Sequence, residues 1–215
     1  MQRKVDFLVI GTGMAGLIYA LKVAEHGKVC ILSKTGMDET ATSYAQGGIA
    51  AVMYSPDSFE KHIKDTIDAG AGLNKENIVR ITITESAERI KELVSWGTHF
   101  DKEDSGKFSL AKEGGHSEYR ILHHKDNTGF EIQRALSDKV RNHPNIELLE
   151  NYFSIDLITQ HHLGEEVTSR RKDIACYGVY ALNQKTGDIE TLVAKTTMLA
   201  TGGMGNIYQT TTNPT

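Results

Sequence analysis

Val5-Asp6-Phe7-Leu8-Val9-Ile10-Gly11-Thr12-Gly13-Met14-Ala15-Gly16-Leu17 runs a short apolar strand into three glycines and then into an apolar-periodic helix. Each glycine has its own physical task. Gly11 permits a tight turn, Gly13 leaves bare backbone for a pyrophosphate, and Gly16 lets the helix lie close on the strand. The helix start then offers unpaired N–H groups and a partial positive charge to phosphate oxygens. The glycine spacing alone is a weak signal; its place between a strand and a helix makes it a dinucleotide fingerprint.

Outward from this stretch, the apolar face continues through Leu17, Ile18, Leu21 and Ala24, and Gly27 is expected to end the helix as a left-handed cap. A second strand, Val29-Cys30-Ile31-Leu32, completes a strand–helix–strand unit. Its end should carry an acidic residue for a ribose hydroxyl. The chain instead has Ser33-Lys34, which reads either as a seat for a 2′-phosphate, and so NADP, or as a neutral ribose contact.

Composition narrows the class. The 215 residues fit one domain or a domain with a small excursion, and 39% hydrophobic with 24% charged residues is globular in balance. A net charge of −4 leaves no footprint for nucleic acid. No signal segment and no run of about 20 apolar residues is expected, so neither a membrane partner nor export is foreseen. Cys30 and Cys176 lack metal or redox spacing and read as buried, inert thiols in a reducing cytoplasm.

Residues 35–52 contain Thr40-Ala41-Thr42-Ser43-Tyr44-Ala45-Gln46-Gly47-Gly48, with little periodicity. Either this is a surface excursion or, as favoured here, a second cofactor loop whose Gly-Gly backbone faces a ligand. Two helices should follow. Asp57 or Ser58 caps the first, which carries Phe59, Ile63 and Ile67 and ends at Gly70. Asn74 caps the second, which presents Ala87, Ile90, Leu93 and Val94 inward and stops at Trp96-Gly97. Trp96 belongs to that face and reads as core.

Residues 100–129 are irregular and rich in ionisable groups. On strands, His123-His124 and His161-His162 would point to opposite faces, so no metal site is expected. Glu113 precedes Gly114-Gly115 and so sits on backbone that can approach a ligand, although a solvated turn glutamate is the simpler account. Thr128 caps a helix carrying Phe130, Ile132, Ala135, Leu136 and Val140, ended before Pro144. Strands are expected at 146–149, 152–159, 174–181 and 189–193, with Lys185-Thr186-Gly187-Asp188 as a hairpin turn. A last strand at 196–200 runs into Thr201-Gly202-Gly203 and returns the chain to the cofactor cleft.

These pieces together resemble the flavoprotein family of succinate dehydrogenase, fumarate reductase and L-aspartate oxidase, and within it the aspartate-oxidising branch. The likeness rests on Gly11 to Gly16, Leu32-Ser33-Lys34, Ser43 to Val52, Glu113-Gly114-Gly115-His116-Ser117, Arg120-Ile121-Leu122-His123, Asp126-Asn127-Thr128-Gly129 and Leu199 to Gly203. It implies an α/β fold: a Rossmann-like FAD-binding domain with a parallel sheet, flanking helices and a small antiparallel β-meander. By the same resemblance, residues 1–215 are expected to form the FAD-binding part of a longer enzyme, without its capping domain.

The resemblance also implies that FAD is the cofactor, with Gly11, Thr12, Gly13, Met14, Ala15 and Gly16 at the pyrophosphate and Ser33 and Lys34 toward the adenosine. Ala41, Thr42, Ser43, Tyr44, Ala45, Gln46, Gly47 and Gly48 run beside the flavin, and Ala200, Thr201 and Gly202 close the cleft. Succinate dehydrogenases bind FAD covalently through a histidine where this chain has Ala41, so the flavin should be non-covalent. Succinate-side relatives carry an aromatic residue where this chain has Glu113, and a carboxylate there fits the ammonium group of L-aspartate. Glu113 and His116 are thus the implied substrate-side residues. The implied reaction transfers a hydride from the aspartate α-carbon to the flavin, with O2 or fumarate as the acceptor. It would belong to quinolinate and NAD synthesis, with a functional link to quinolinate synthase. The arginine and histidines that clamp the dicarboxylate in relatives have no counterpart within these residues, so the chain alone is expected to be inactive.

Overall fold

In the computed structural model, residues 2–213 are described. The chain resolves into two compact units, one formed by Met1–Ser43 and Leu136–Thr215 and the other by Tyr44–Ala135.

The first unit is built on a six-stranded sheet. Strand β1 (Gln2–Ile10) leads into helix α1 (Met14–Val23), and β2 (Val29–Ser33) returns beside β1. Near the end of helix α4 (Thr128–Arg141) the chain re-enters this unit and forms β6 (Ile146–Glu150), β7 (Tyr152–Thr159), β8 (Cys176–Asn183) and β9 (Ile189–Leu199). The spatial order is β6-β2-β1-β9-β8-β7. Four strands run parallel, while β7, β8 and β9 form the antiparallel meander. The expected architecture is therefore present. Leu8, Cys30, Leu32, Val179 and Leu192 are fully or almost fully buried in its core.

β9 corrects the expectation of two strands at 189–193 and 196–200. One strand of 11 residues runs through, because its first half pairs antiparallel with β8 while most of its length pairs parallel with β1. The pairing partner changes along the strand: residues 189–193 pair with β8, and from Thr191 onward the strand pairs with β1, which carries it through Ala194-Lys195 without a break. β8 begins at Cys176 rather than 174, leaving Ile174 exposed. Cys176 is only half-buried, unlike Cys30, whose thiol burial pushes up to about 12.

Gly27 is not a left-handed cap. Helix α1 ends at Ala24 in the right-handed region, with its N–H on the Ala20 carbonyl. Gly27 is small for another reason: a Cβ there would meet Asp6 Oδ2 at 2.5 Å, where that carboxylate accepts the Lys28 amide.

In the second unit, β3 (Ile49–Ala50), β4 (Leu110–Ala111) and β5 (Ile121–Leu122) form an antiparallel sheet in the order β3-β5-β4. Helix α2 (Phe59–Ala69) is capped by Ser58, whose hydroxyl accepts the Lys61 amide. Helix α3 (Glu76–Ser95) starts after Lys75 without a side-chain cap. The expected cap, Asn74, instead donates to the Thr66 carbonyl near the end of α2. Gly97, at φ +103, stops α3 as expected, and Trp96 is its half-buried C-cap. Ile90 and Leu93 face inward, but Val94 and, on α4, Phe130 are exposed: each sits one position off its buried stripe.

The histidine pairs also depart from expectation. His123 and His124 lie just past β5, and both Nδ1 atoms approach the Asp101 carboxylate, at 3.2 and 3.6 Å. His161 and His162 sit in a short 3-10 turn with their Nδ1 atoms 3.2 Å apart. Neither pair is on a strand, so the alternation argument does not apply to them. Among the described residues no group of three or more His, Cys, Asp or Glu could hold a metal, and no helix is long and apolar enough to cross a membrane.

Candidate functional site

In the first unit, three strand ends meet at the carboxyl edge of the sheet. β1 ends at Ile10 opposite Leu199 of β9, and Gly11 N donates to the Leu32 carbonyl of β2 at 2.9 Å. The glycines differ in what they permit. Gly11 has φ +114, and a Cβ on it would lie 2.2 Å from the Ala200 carbonyl oxygen. A Cβ on Gly16 would meet the Gly11 carbonyl oxygen at 2.3 Å. These two close the turn against backbone, as their spacing predicts. At Gly13 the nearest atom to a Cβ would be the Thr42 hydroxyl at 3.6 Å, so space stands open over the start of α1.

That start has no acidic residue in its first turn and no side-chain cap from Gly13. Met14 N donates to Thr42 Oγ1 at 3.1 Å, which brings the 35–43 loop onto the helix terminus. Thr12 and Ser33 hydroxyls lie 3.2 Å apart, so a neutral pair occupies the place where an acidic ribose contact was sought. Lys34, Ala15, Ala41, Thr201 and Gly202 are exposed around this edge, and Gly202 adopts φ +76. A helix start with no acidic residue in its first turn and an open Gly13 fit a diphosphate-bearing dinucleotide. The strand-end geometry therefore unites the predicted cofactor residues up to Ser43 with those from 200 to 202.

Tyr44 to Gly48 belong to the second unit. Tyr44, Ala45, Gln46 and Gly47 are exposed, and the Ala45 carbonyl accepts the Gly129 amide at 3.0 Å. Gly48 has a packing role: a Cβ would strike the Leu122 carbonyl oxygen at 2.3 Å. Gly47 stays open, its Cβ position 4.0 Å from Glu113 Oε1, so the loop backbone and that carboxylate share one surface. Glu113 starts a turn in which His116 N donates to the Glu113 carbonyl at 3.2 Å and Gly115 has φ +84, a conformation suited to glycine.

Beneath the turn lies a charged cluster that sequence reading missed. Arg120 is fully buried. It donates two hydrogen bonds to Asp57, at 2.8 and 2.7 Å, and a third to Asp65 at 2.6 Å. Its Nη1 lies 3.3 Å from His116 Nδ1, and both the amide and hydroxyl of Ser117 donate to Asp65 Oδ2 at 2.8 Å. Burial pushes the Asp65 carboxyl up, but the Ser117 donors and Arg120 outweigh it and hold the group at about 2. His62, 5% exposed and 5.6 Å from the His116 ring, is pushed down to about 4 by burial, with Arg120 and His116 adding to the effect. Its Nδ1 is buried without a hydrogen-bond partner among the described residues. Asp57 had been read as a helix cap. The available signal was Arg120 itself, a charge immediately before the apolar pair Ile121-Leu122.

The class this geometry defines is an α/β dinucleotide-binding protein. The family model described as "FAD binding domain" matches residues 6–215, and the chain belongs to that family. It is 48% identical over 99% of its length to L-aspartate oxidase 2-a, chloroplastic, of Nicotiana tabacum. It is 44% identical over 99% of its length to the L-aspartate oxidase of Vibrio cholerae. The chain spans 32% of the plant protein and 40% of the bacterial one, about a third of the first. Among solved structures, an E. coli quinol fumarate reductase variant superposes with a TM-score of 0.88 at 27% identity, covering 99% of this chain and 35% of that one. FAD is thereby the cofactor of the fold, and the NADP alternative raised by Ser33-Lys34 lapses.

Proposed function

We propose that this chain is the FAD-binding portion of an L-aspartate oxidase, which oxidises L-aspartate to iminoaspartate and passes the electrons to O2 or fumarate. The observation that carries the reading is 48% identity over 99% of the chain to a protein of that name. The cofactor, when bound, accepts the hydride from the substrate α-carbon. The protein's own part is to bind and orient. Gly11 to Gly16 and the start of α1 hold the diphosphate, with Ser33, Lys34 and residues 41–43 and 200–202 around the cofactor and residues 44–48 beside the flavin. Glu113 offers its carboxylate to the substrate ammonium, an attraction strengthened when both are taken out of water. His116 adjoins it. Ala41 provides no nucleophile, so the flavin is held non-covalently.

The product iminoaspartate belongs to quinolinate and NAD synthesis, with a link to quinolinate synthase. A reducing cytoplasm is the proposed compartment, on the unpaired Cys30 and Cys176. The chain covers 32% of the plant relative and 40% of the bacterial one, and residues 1–215 alone are proposed not to turn over aspartate.

The test is a visible spectrum of the FAD-reconstituted protein, before and after acid precipitation. A flavin band that passes into the supernatant is expected; a protein that takes up no FAD, or keeps it in the pellet, overturns the non-covalent assignment. For the substrate, Glu113→Gln in the longer enzyme should reduce preference for L-aspartate over succinate. An unchanged preference refutes the ammonium contact.

A further inference from the structure

The His116 N to Glu113 carbonyl bond closes the turn after Glu113, but its two glycines add no packing to the side chain's surroundings. A Cβ at Gly114 or Gly115 would meet nothing within 4 Å, so the turn gains no order from packing there. The exposed Glu113 carboxylate would therefore sample many positions, and ordering it on binding would weaken affinity. Restraint comes from the other end of the segment. Ser117 N and Oγ both grip Asp65 Oδ2, and Arg120 grips the same carboxylate oxygen. Arg120 is itself tied into the sheet: its amide donates to the Ala111 carbonyl at 3.2 Å and its carbonyl accepts the Ala51 amide at 2.9 Å. A guanidinium has donors only, so His116 Nδ1, 3.3 Å from Nη1, must be the acceptor and the imidazole must carry its hydrogen on Nε2.

We propose that Asp65, Ser117 and Arg120 are positioning residues for substrate recognition. They hold residues 113–117 in the arrangement that presents the Glu113 carboxylate and fix the His116 tautomer. This rests on the ammonium-contact reading of Glu113. It goes beyond that reading by assigning specificity to a buried cluster that touches no substrate. A merely structural cluster would stabilise the second unit and leave recognition alone.

Ser117→Ala separates the two, because it removes one hydroxyl and leaves all three Arg120–carboxylate bonds. In the flavin-loaded enzyme it should raise KM for L-aspartate about tenfold with kcat little changed, as loosened positioning predicts. Ser117→Thr, which keeps a hydroxyl, should restore the value, and the flavin spectrum should not change in either. Combined with Glu113→Gln, Ser117→Ala should add nothing further, since it acts through that carboxylate. An unchanged KM, or a double variant whose losses multiply, overturns the proposal. A second readout needs no turnover. In the chain as it stands, 15N spectra of His116 should show the Nε2–H tautomer, and the His116 amide should be protected from exchange. Ser117→Ala should lose that protection; its persistence overturns the positioning role. If Glu113→Gln leaves substrate preference intact while this protection is lost as expected, the failure lies in the ammonium reading and not in the restraint of the turn.

Discussion

The glycine cradle of the first unit and the Arg120 cluster of the second solve opposite problems. The cradle is made by leaving side chains out: Gly11 and Gly16 let backbone meet backbone, Gly13 leaves a gap, and the attraction for a ligand comes from helix amides. The cluster is made by putting charge in: a fully buried guanidinium is matched by two carboxylates drawn from the stretch before α2 and from α2 itself. The first offers helix amides with almost no titratable group beside them, so anion binding there is expected to be insensitive to pH. The second depends on every partner keeping its charge.

The largest effect should come from Arg120→Met. It leaves Asp57 and Asp65 facing each other without their cation, and denaturant unfolding should register a loss of about 3–5 kcal/mol, as for other broken buried pairs. A loss below 1 kcal/mol would mean that the cluster is solvated and the contrast with the cradle is false. His62 comes next. Its folded-state pKa of about 4 lies below the ordinary 6.5, so the unfolded chain binds a proton first as pH falls. Its contribution is fully present above pH 6.5 and is lost between 6.5 and 4, on the order of 3 kcal/mol from the size of the shift. Asp65, held at about 2 against 3.8, adds a second loss between pH 4 and 2. Unfolding followed across pH should therefore show His62→Gln flattening the first window and Asp65→Asn the second.

A smaller effect is expected in the cradle. Gly16→Ala forces a Cβ against the Gly11 carbonyl and should cost about 1–3 kcal/mol of stability with loss of FAD uptake in a fluorescence titration. Gly36→Ala, with nothing within 4 Å and no positive φ, should change neither quantity. Smallest of all, Glu113→Gln should leave stability within about 0.5 kcal/mol, because the side chain is exposed; only substrate preference should respond.

The same contrast explains what could be read from the sequence. Gly11, Gly13 and Gly16 act within six residues and leave a local pattern, so strand, turn and helix were legible together. The strand segments followed from apolar runs, while the parallel sheet and the meander were what the family resemblance implied. The Arg120 cluster joins residues 55 and 63 positions apart; Asp57 had a simpler local role as a cap, and Asp65 drew no reading at all. Nothing in their spacing marks them as partners. Asn74 failed for a related reason: its side chain serves the end of the preceding helix rather than the start of its own. Strand β9 reads as two because it changes neighbours along its length, from β8 at residues 189–193 to β1 beyond, and a single-strand pattern does not reveal which neighbour carries the polar stretch.

Cys30 gives the sheet a reporter of its own opening. Its side chain is fully buried and its thiol is pushed up to about 12, so at neutral pH almost no thiolate exists to meet an alkylating reagent. Half-buried Cys176, at the start of β8, is the site the reagent reaches in the folded chain. The ratio of label at the two positions then clocks how often β2 leaves its neighbours β1 and β6, and the effect of FAD on that ratio measures how tightly the cofactor staples the parallel strands together.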